Sequence, residues 1–200
     1  MRTVAVREDI KDLILDAVDR LLSQYGYQKM TMDALAQEVG IGKGTLYLHY
    51  KSKEEIALSH IDRIIYRLLV ELQTIVHGEG ANAEEKLREM LRLRVLHRFD
   101  SVQHYTESLS DLLADIRPKL LARREKHFDM EAKIFAEGLE KGKKTGQFIF
   151  QDATITAQTL ILMTNSLLPY GLTPLELGKR KDIEKKVSLI ADLLLYGLLN

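Results

Sequence analysis

The chain has 200 residues, 46% of them hydrophobic and 29% charged, which is enough for one large domain or two smaller ones. Basic and acidic residues balance at 29 each, so bulk charge does not indicate a nucleic-acid binder. The absence of cysteine excludes disulfides, a thiolate nucleophile and a zinc site with cysteine ligands. No apolar run reaches the roughly 18 residues of a membrane span, and acidic residues near the start argue against a secretion signal. These features predict a cytoplasmic protein.

Helical periodicity predicts an all-α fold of about nine helices, because apolar residues recur at intervals of three and four and only 3 prolines occur. The first helix is expected to end at Gly26, since glycine favours termination. Asp152 is expected to cap a later helix, Pro118 to lie in a first turn, and the pair Asp100 and Ser101 to break a helix. The predicted helices are residues 10–25, 31–39, 43–50, 53–78, 83–98, 102–113, 118–145, 153–168 and 182–199.

The stretch from residue 31 to 55 has the order of a helix-turn-helix. Thr31 can cap a short helix, Ala36 is small enough for a second helix to cross closely, and Gly40 permits the tight turn between them. Leu46 and Tyr50 would pack the second helix onto a small core. In such a motif the second helix enters the major groove of DNA. An ordinary helical hairpin is the alternative interpretation.

Several side chains of the predicted second helix are not needed for the core and would face DNA: Lys43, Thr45, Leu48 and His49. Gly44 would allow the protein backbone to approach the DNA backbone closely. Lys53, at the start of the following long helix, would lie near a phosphate.

These residues resemble the N-terminal signature of TetR-type repressors over about residues 10 to 58. The residues that carry the resemblance are Tyr25, Gly26, Tyr27, Thr31, Ala36, Val39, Gly40, Gly44, Thr45, Leu46, Tyr47, His49, Tyr50 and Lys53. The resemblance implies a homodimer whose C-terminal domain binds a small ligand and thereby releases DNA. The expected domains are a DNA-binding domain at residues 1–52 and an effector-binding and dimerisation domain at residues 53–200.

Family DNA contacts match Thr31, Lys43, Thr45, Tyr47, His49 and Lys53, and the resemblance implies that Tyr47 and Lys53 contact phosphates. The chain departs from the family at Gly42, where a polar residue is usual. A glycine cap costs only a few tenths of a kcal/mol but removes a hydroxyl that could reach a phosphate. The departure therefore bears on operator preference rather than on the fold.

The C-terminal two-thirds of the chain has no nucleophile elbow, phosphate-binding loop or zinc-protease motif, so we expect neither an enzyme nor a cofactor. His97, His104 and His127 could be read as metal ligands. Solvated or core histidines are the simpler interpretation, and no metal site is predicted.

Apolar side chains on several helices predict a pocket for a small, largely apolar effector between them. Three polar residues could orient that ligand. The pocket residues expected are Leu96, Phe99, Gln103, Tyr105, Leu109, Phe128, Met163, Asn165 and Leu167. An ordinary filled core is the alternative.

The last two long helices carry apolar stripes that are wider than one intramolecular face requires. A two-fold, four-helix interface would bury the surplus. The interface residues expected are Ala157, Leu160, Ile161, Thr164, Val187, Ile190, Ala191, Leu194 and Leu198.

The sequence thus predicts a homodimeric, ligand-responsive transcriptional regulator that binds a palindromic operator. One alternative keeps DNA binding but makes the C-terminal domain a docking surface for a protein partner, as in an architectural nucleoid protein. The other is a helical metalloenzyme that uses the three histidines.

Overall fold

The computed structural model describes the backbone of residues 2–105, 108–169 and 174–198, and side chains within these ranges except those of residues 2–9, 108, 109, 174 and 175. The described residues form nine α-helices and one short 3-10 turn, so the predicted all-α class is confirmed. No helix in this part of the chain combines the length and apolar character that crossing a membrane requires. The helices are α1 Arg2–Lys29, α2 Met32–Val39, α3 Lys43–His49, α4 Lys53–His77, α5 Ala83–Val102, α6 Ser108–Lys144, α7 Ala153–Thr164, α8 Pro174–Leu177 and α9 Arg180–Tyr196.

The chain divides into two compact units that do not follow a single cut in the sequence. The first contains the described residues up to Arg63 together with those between His104 and Leu120. The second contains Ile64–Gln103 and the described residues from Leu121 onward. The functional boundary expected after residue 52 stays a prediction.

In the first unit, α1, α2 and α3 pack around a small apolar core. Ile14, Leu35, Leu46 and Ile56 have no exposed surface, because each lies on the inward face of its helix. This core fixes α3 from one side only and leaves its other side exposed.

A buried polar cluster adds the segment after α5 to the first unit. The Tyr105 hydroxyl donates to Asp19 in α1, and His60 Nε2 in α4 lies 2.8 Å from the same hydroxyl oxygen. Burial disfavours the charged Asp19, but the hydrogen bond from Tyr105 and the nearby His60 and His104 outweigh it and lower the pKa of Asp19. Three separate segments are therefore joined at one carboxylate.

The second unit has a large apolar core in which α5 contacts both α7 and α9. Two guanidinium groups and a carboxylate are buried within it. Arg94 Nε donates to Glu131 at 2.7 Å, and Arg98 Nη2 donates to the other oxygen of the same carboxylate. Arg94 also donates to Thr164 Oγ1 at 2.6 Å, so the cluster reaches the end of α7. Glu131 is the charged partner that the two arginines share.

The predicted break at Asp100 and Ser101 is wrong, because α5 continues through both residues to Val102. The Ser101 hydroxyl donates to the carbonyl of His97 at 2.7 Å, the bond by which a serine is accommodated inside a helix. Asp100 accepts from the guanidinium of Arg180, at 2.8 Å from Nε. Both polar side chains thus have partners that do not interrupt the helix.

The predicted helix start at Pro118 is also wrong, since Pro118 lies inside the 37-residue helix α6. A proline there removes the hydrogen bond to the carbonyl four residues earlier, that of Ala114. Pro118 and Ala114 are both exposed, so water can replace the missing donor.

Three of the predicted helix ends and caps are confirmed. Helical geometry is interrupted at Gly26, where φ is 78°, before a last turn to Lys29. The Asp152 carboxylate accepts from the amide of Ile155 at 2.8 Å and caps α7. The helix expected to end at residue 145 ends at Lys144, and Gly146 just beyond it has φ 73°. The helix expected to reach residue 168 instead ends at Thr164 and is followed by the 3-10 turn Asn165–Leu167.

Candidate nucleic-acid interface

The turn between α2 and α3 is built by two local features of the sequence. Thr31 Oγ1 accepts from the amide of Ala34 at 3.1 Å and caps the start of α2. At the other end Gly40 has φ 73°, a conformation that glycine adopts without strain. The amides of Gly40 and Ile41 donate to the carbonyls of Gln37 and Ala36, which is the Schellman pattern of a helix end. The chain therefore reverses within three residues and enters α3.

Helix α3 is attached to its unit by Leu46, which is fully buried, and by the buried Tyr50 that follows the helix. Its other side carries exposed residues, among them Leu48, which is 85% exposed. Tyr47 is exposed as well. The side chain of Leu48 is wholly apolar, and that of Tyr47 is apolar except for its hydroxyl group. A short helix that exposes apolar side chains beside a lysine has a surface suited to the edges and methyl groups of bases.

The eight residues predicted to contact DNA fall into two groups by exposure. Five are exposed: Thr31, Lys43, Gly44, Tyr47 and Leu48. Three are half-buried: Thr45, His49 and Lys53. Six of the eight residues lie on α3. Lys53 is the first residue of α4, and Thr31 caps the start of α2.

Lys53 is held at the start of α4 by a residue of α1. Its ammonium donates to the carbonyl of Tyr27 at 3.3 Å and lies 4.2 Å from the centre of the Tyr27 ring. The tyrosine ring attracts a cation over its face, which adds to the hydrogen bond. The position of this positive charge is therefore set by the fold before any DNA is present.

Lys43, the first residue of α3, forms an ion pair with Asp33 in the first turn of α2. Nζ of Lys43 lies 2.7 Å from Oδ1 of Asp33, and the two side chains are 54% and 69% exposed. The hydrogen bond and the charge of Asp33 raise the pKa of Lys43. The pair depends on the turn that brings α2 and α3 together, so it could not be found from the sequence alone.

Gly42 and Gly44 have no structural need for glycine inside this chain. Gly42 has an extended backbone with φ −66°, and a Cβ added there would meet only Oγ1 of Thr45, at 3.9 Å. A Cβ added at Gly44 would meet no atom within 4 Å. Glycine in a helix costs about 0.5–1 kcal/mol relative to alanine. Its presence at position 44 is consistent with a close approach by something outside the chain.

Residues 14–59, which contain this whole arrangement, match the family model of bacterial regulatory proteins of the tetR family. This N-terminal region is therefore of the TetR type. The HTH-type transcriptional regulator YhgD of Bacillus subtilis (strain 168) is 42% identical over 65 residues, which are 32% of each chain. The chain matches only about a third of the length of the first curated relatives, 32%, 35% and 36%. The similarity to the family therefore rests on the N-terminal part.

Two further comparisons extend along most of the chain. The fatty acid metabolism regulator protein of Bacillus subtilis (strain 168) is 25% identical over 177 residues, 78% of this chain and 90% of that protein. A solved transcriptional regulator from Cytophaga hutchinsonii ATCC 33406 superimposes with a TM-score of 0.79 at 23% identity, covering 94% of this chain and 98% of its own. The second comparison shows that the two chains share a fold.

Four of the residues expected to line an effector pocket belong to the packed core of the second unit. Leu96, Phe99 and Leu167 are buried in it, and Phe128 packs against it at partial exposure. These side chains therefore contact other core side chains in the described structure. Effector binding among them would require those contacts to open.

The other five expected pocket residues are dispersed. Gln103 and Met163 are exposed, Asn165 accepts a hydrogen bond from a buried arginine, and Tyr105 belongs to the first unit. The side chain of Leu109 lies outside the described residues. The effector site stays a prediction.

The second unit also contains two concave regions that none of the nine expected residues lines. One has a volume of about 180 Å³ and an apolar floor that includes Val76, Leu87 and Met90. The other is a more open groove of about 560 Å³ along α4, lined in part by Tyr66 and Val70. Neither was found by sequence reasoning. The first combines residues from two distant parts of the chain, and the second lies along an exposed side of α4 that the helical pattern does not mark as concave.

The expected dimer residues face inward on the same two helices that were predicted to form the interface. Six are buried within the chain's own core: Ala157, Leu160, Ile161, Thr164, Val187 and Ala191. Three are half-buried against that core: Ile190, Leu194 and Leu198. These side chains pack in or against the chain's own core, and their assignment to a dimer interface stays a prediction.

The outward faces of α7 and α9 carry a second set of large apolar side chains. On α7 these are Ile155, Leu162 and Met163, and on α9 they are Leu189, Leu193 and Tyr196, all exposed. Leu193 is 78% exposed. The surplus of apolar surface anticipated for these helices is therefore present, on the side opposite the predicted stripe.

The three histidines considered as metal ligands do not come together. His104 belongs to the first unit, whereas His97 and His127 belong to the second. His97 Nε2 lies 3.1 Å from the carbonyl of Ile64, and His127 is buried. Within the described ranges no three histidine, aspartate or glutamate side chains are grouped closely enough to hold a metal ion.

Proposed function

We propose that this chain is a ligand-responsive transcriptional regulator, acting as a repressor, that binds a palindromic DNA operator as a homodimer. The observation that carries the proposal is the exposed side of α3. Leu46 anchors the helix, and Lys43, Tyr47 and Leu48 are exposed on it. In a helix-turn-helix the N-terminal residues of the second helix contact base edges in the major groove. Lys43 then donates to guanine, and Leu48 contacts a thymine methyl group.

Dimerisation is supported by the outward apolar faces of α7 and α9. Six large apolar side chains on these two helices are exposed, a concentration that monomeric proteins seldom tolerate. When two copies pair through these faces about a two-fold axis, four helices bury the surface. A dimer also places two copies of α3 for two half-sites of a palindrome.

The proposed effector is a small, largely apolar molecule that binds the second unit. The similarity to a fatty acid metabolism regulator over 78% of the chain supports an apolar class of ligand. The cavity of about 180 Å³ beside Met90 offers one apolar surface for such a molecule. The protein has one conformation that binds DNA and another that does not. A ligand with higher affinity for the second conformation shifts the equilibrium toward it and releases DNA.

The test begins with selection of binding sites from random double-stranded DNA. Affinity for the selected duplex is then measured against salt concentration and compared with a scrambled duplex. Each phosphate neutralised should add about −0.9 to the slope of log affinity against log salt. A palindromic consensus, a steep slope and a 2:1 complex in sedimentation are expected. Binding to no duplex would refute the proposal.

An effector-independent role is the second candidate, in which the C-terminal part docks a protein and DNA is bound for architecture. The close packing of Leu96, Phe99 and Leu167 favours it, because those residues leave no room for a ligand among themselves. Screening small apolar compounds for release of the selected duplex separates the two. Release by a compound that binds the second unit contradicts the architectural role.

A further inference from the structure

The ion pair between Lys43 and Asp33 changes what the first residue of α3 offers to DNA. Nζ and Oδ1 are 2.7 Å apart, and both side chains are more than half exposed, so DNA can reach them. Together the two groups carry no net charge. A neutral pair attracts phosphates weakly and displaces few of the cations that surround DNA.

We infer that Asp33 is a specificity-determining residue, which keeps Lys43 from phosphates and leaves it available to a guanine edge. The inference rests on the proposed function. A lysine ammonium has three N–H donors, so it can stay paired with Asp33 while donating to O6 and N7 of guanine. Those two acceptors carry only partial negative charges, so the carboxylate repels them less than it repels a phosphate.

A phosphate oxygen is different, because it is an anion. When Lys43 turns toward a phosphate, there are two possible results for Asp33. Its carboxylate either moves close to the negatively charged phosphate or loses its ion pair with Lys43. Both outcomes weaken phosphate contacts at this position. Phosphate contacts dominate binding to non-specific DNA and carry no direct sequence information. Asp33 therefore lowers affinity for non-specific DNA more than affinity for the operator.

Glu38 provides a matched control on the same helix. It also lies in α2 and also forms an ion pair, with Arg20 at 2.8 Å, but it does not contact Lys43. Asp33→Asn and Glu38→Gln each remove one negative charge from each subunit without a large change in shape. Any effect of overall charge appears in both variants, and an effect through Lys43 appears only in the first.

The experiment measures affinity for the selected operator duplex and for a scrambled duplex at several salt concentrations. Asp33→Asn is expected to bind the scrambled duplex about threefold to tenfold more tightly, since each of two subunits loses an exposed ion pair. Its salt dependence on that duplex should steepen by about 0.9 per subunit. Affinity for the operator should rise less, so the ratio of the two affinities falls. Thermal unfolding of each variant checks that the fold is intact.

The double variant Asp33→Asn with Lys43→Met tests whether the effect passes through Lys43. In the Lys43→Met background, Asp33→Asn should no longer increase affinity for the scrambled duplex beyond the Glu38→Gln control. An increase that persists there shows that Asp33 acts by its own charge and overturns the inference. So does an Asp33→Asn variant that matches Glu38→Gln on both duplexes. If the wild-type chain binds neither duplex, the proposed function itself fails, which is a separate and recognisable result.

Discussion

Replacing Gly44 by alanine is expected to stabilise the protein and to weaken DNA binding. The added Cβ meets no atom of the chain within 4 Å, so the fold has room for it. Alanine in place of a helical glycine contributes about 0.5–1 kcal/mol to the free energy of unfolding. For a chain of this size, such a gain raises the melting temperature by about 1–4 °C.

DNA binding should change in the opposite direction if the backbone at Gly44 touches DNA. An extra methyl group in a tight contact costs about 1–3 kcal/mol, and a dimer carries two of them, so affinity should fall at least about thirtyfold. Calorimetric melting and fluorescence anisotropy with a labelled operator duplex measure the two effects separately.

Gly40→Ala is the control from the same motif. Its φ of 73° is unfavourable for alanine by about 1–2 kcal/mol, so this variant should melt at a lower temperature than the wild type. An unchanged affinity of Gly44→Ala for the operator would refute a close approach at that residue. A lower melting temperature of Gly44→Ala would contradict the packing on which the magnitude rests.

Four further predictions concern separate parts of the molecule. Lys53→Ala should weaken binding to operator and scrambled duplexes alike and reduce the salt slope by about 0.9 per subunit, measured in the same titrations. Glu131→Gln should lower the free energy of unfolding by about 3–5 kcal/mol in urea denaturation, because two buried guanidinium groups lose their shared carboxylate. Leu193→Glu should give a folded monomer in sedimentation, whereas an unchanged dimer excludes that face of α9 as the interface. Asp19, whose pKa is lowered in the fold, stabilises the protein above its ordinary value of 3.8 and loses this contribution as the pH falls further; Asp19→Asn should therefore flatten the acid side of a stability-versus-pH curve.

The helix-turn-helix could be predicted because its determinants are local. Thr31 caps the residues that follow it, and Gly40 produces the turn where it stands. Leu46 needs only a helical repeat to point inward. None of these depends on a residue from a distant part of the chain, so the pattern alone was sufficient for the fold of this region.

The helix boundaries predicted at Asp100 and Ser101 and at Pro118 were wrong for the opposite reason. Residues that disfavour helices in isolation were outweighed by contacts that the sequence does not display. Asp100 is bound by Arg180, which lies 80 residues away, and Pro118 is accommodated by an exposed helix surface. A tertiary partner allows the helix to continue through Asp100, and solvent exposure allows it to continue through Pro118. Neither cause can be seen in a local sequence pattern.

What the apolar stripes of α7 and α9 pack against could not be predicted, because both helices also carry large apolar residues outside those stripes. Leu160 faces the core and Leu162 faces outward, although the two residues have the same side chain. Helix α7 is apolar nearly all round, so it gives no periodic signal for its buried face. The pairing of Lys43 with Asp33 was equally hidden, since it exists only after the turn at Gly40 has formed.

Thr31 combines two demands in one hydroxyl group, and this restricts which substitutions its position can accept. Its oxygen accepts from the amide of Ala34, while its proton remains available to donate to a phosphate in the proposed complex. Aspartate would cap α2 as well but would repel a phosphate, and valine, with nearly the same shape, would do neither. Serine keeps both functions in one hydroxyl group, and asparagine can accept with Oδ1 and donate with Nδ2. Selection at this position would act on folding and on DNA binding together, so sequence variation among functional relatives should be confined mainly to threonine, serine and asparagine.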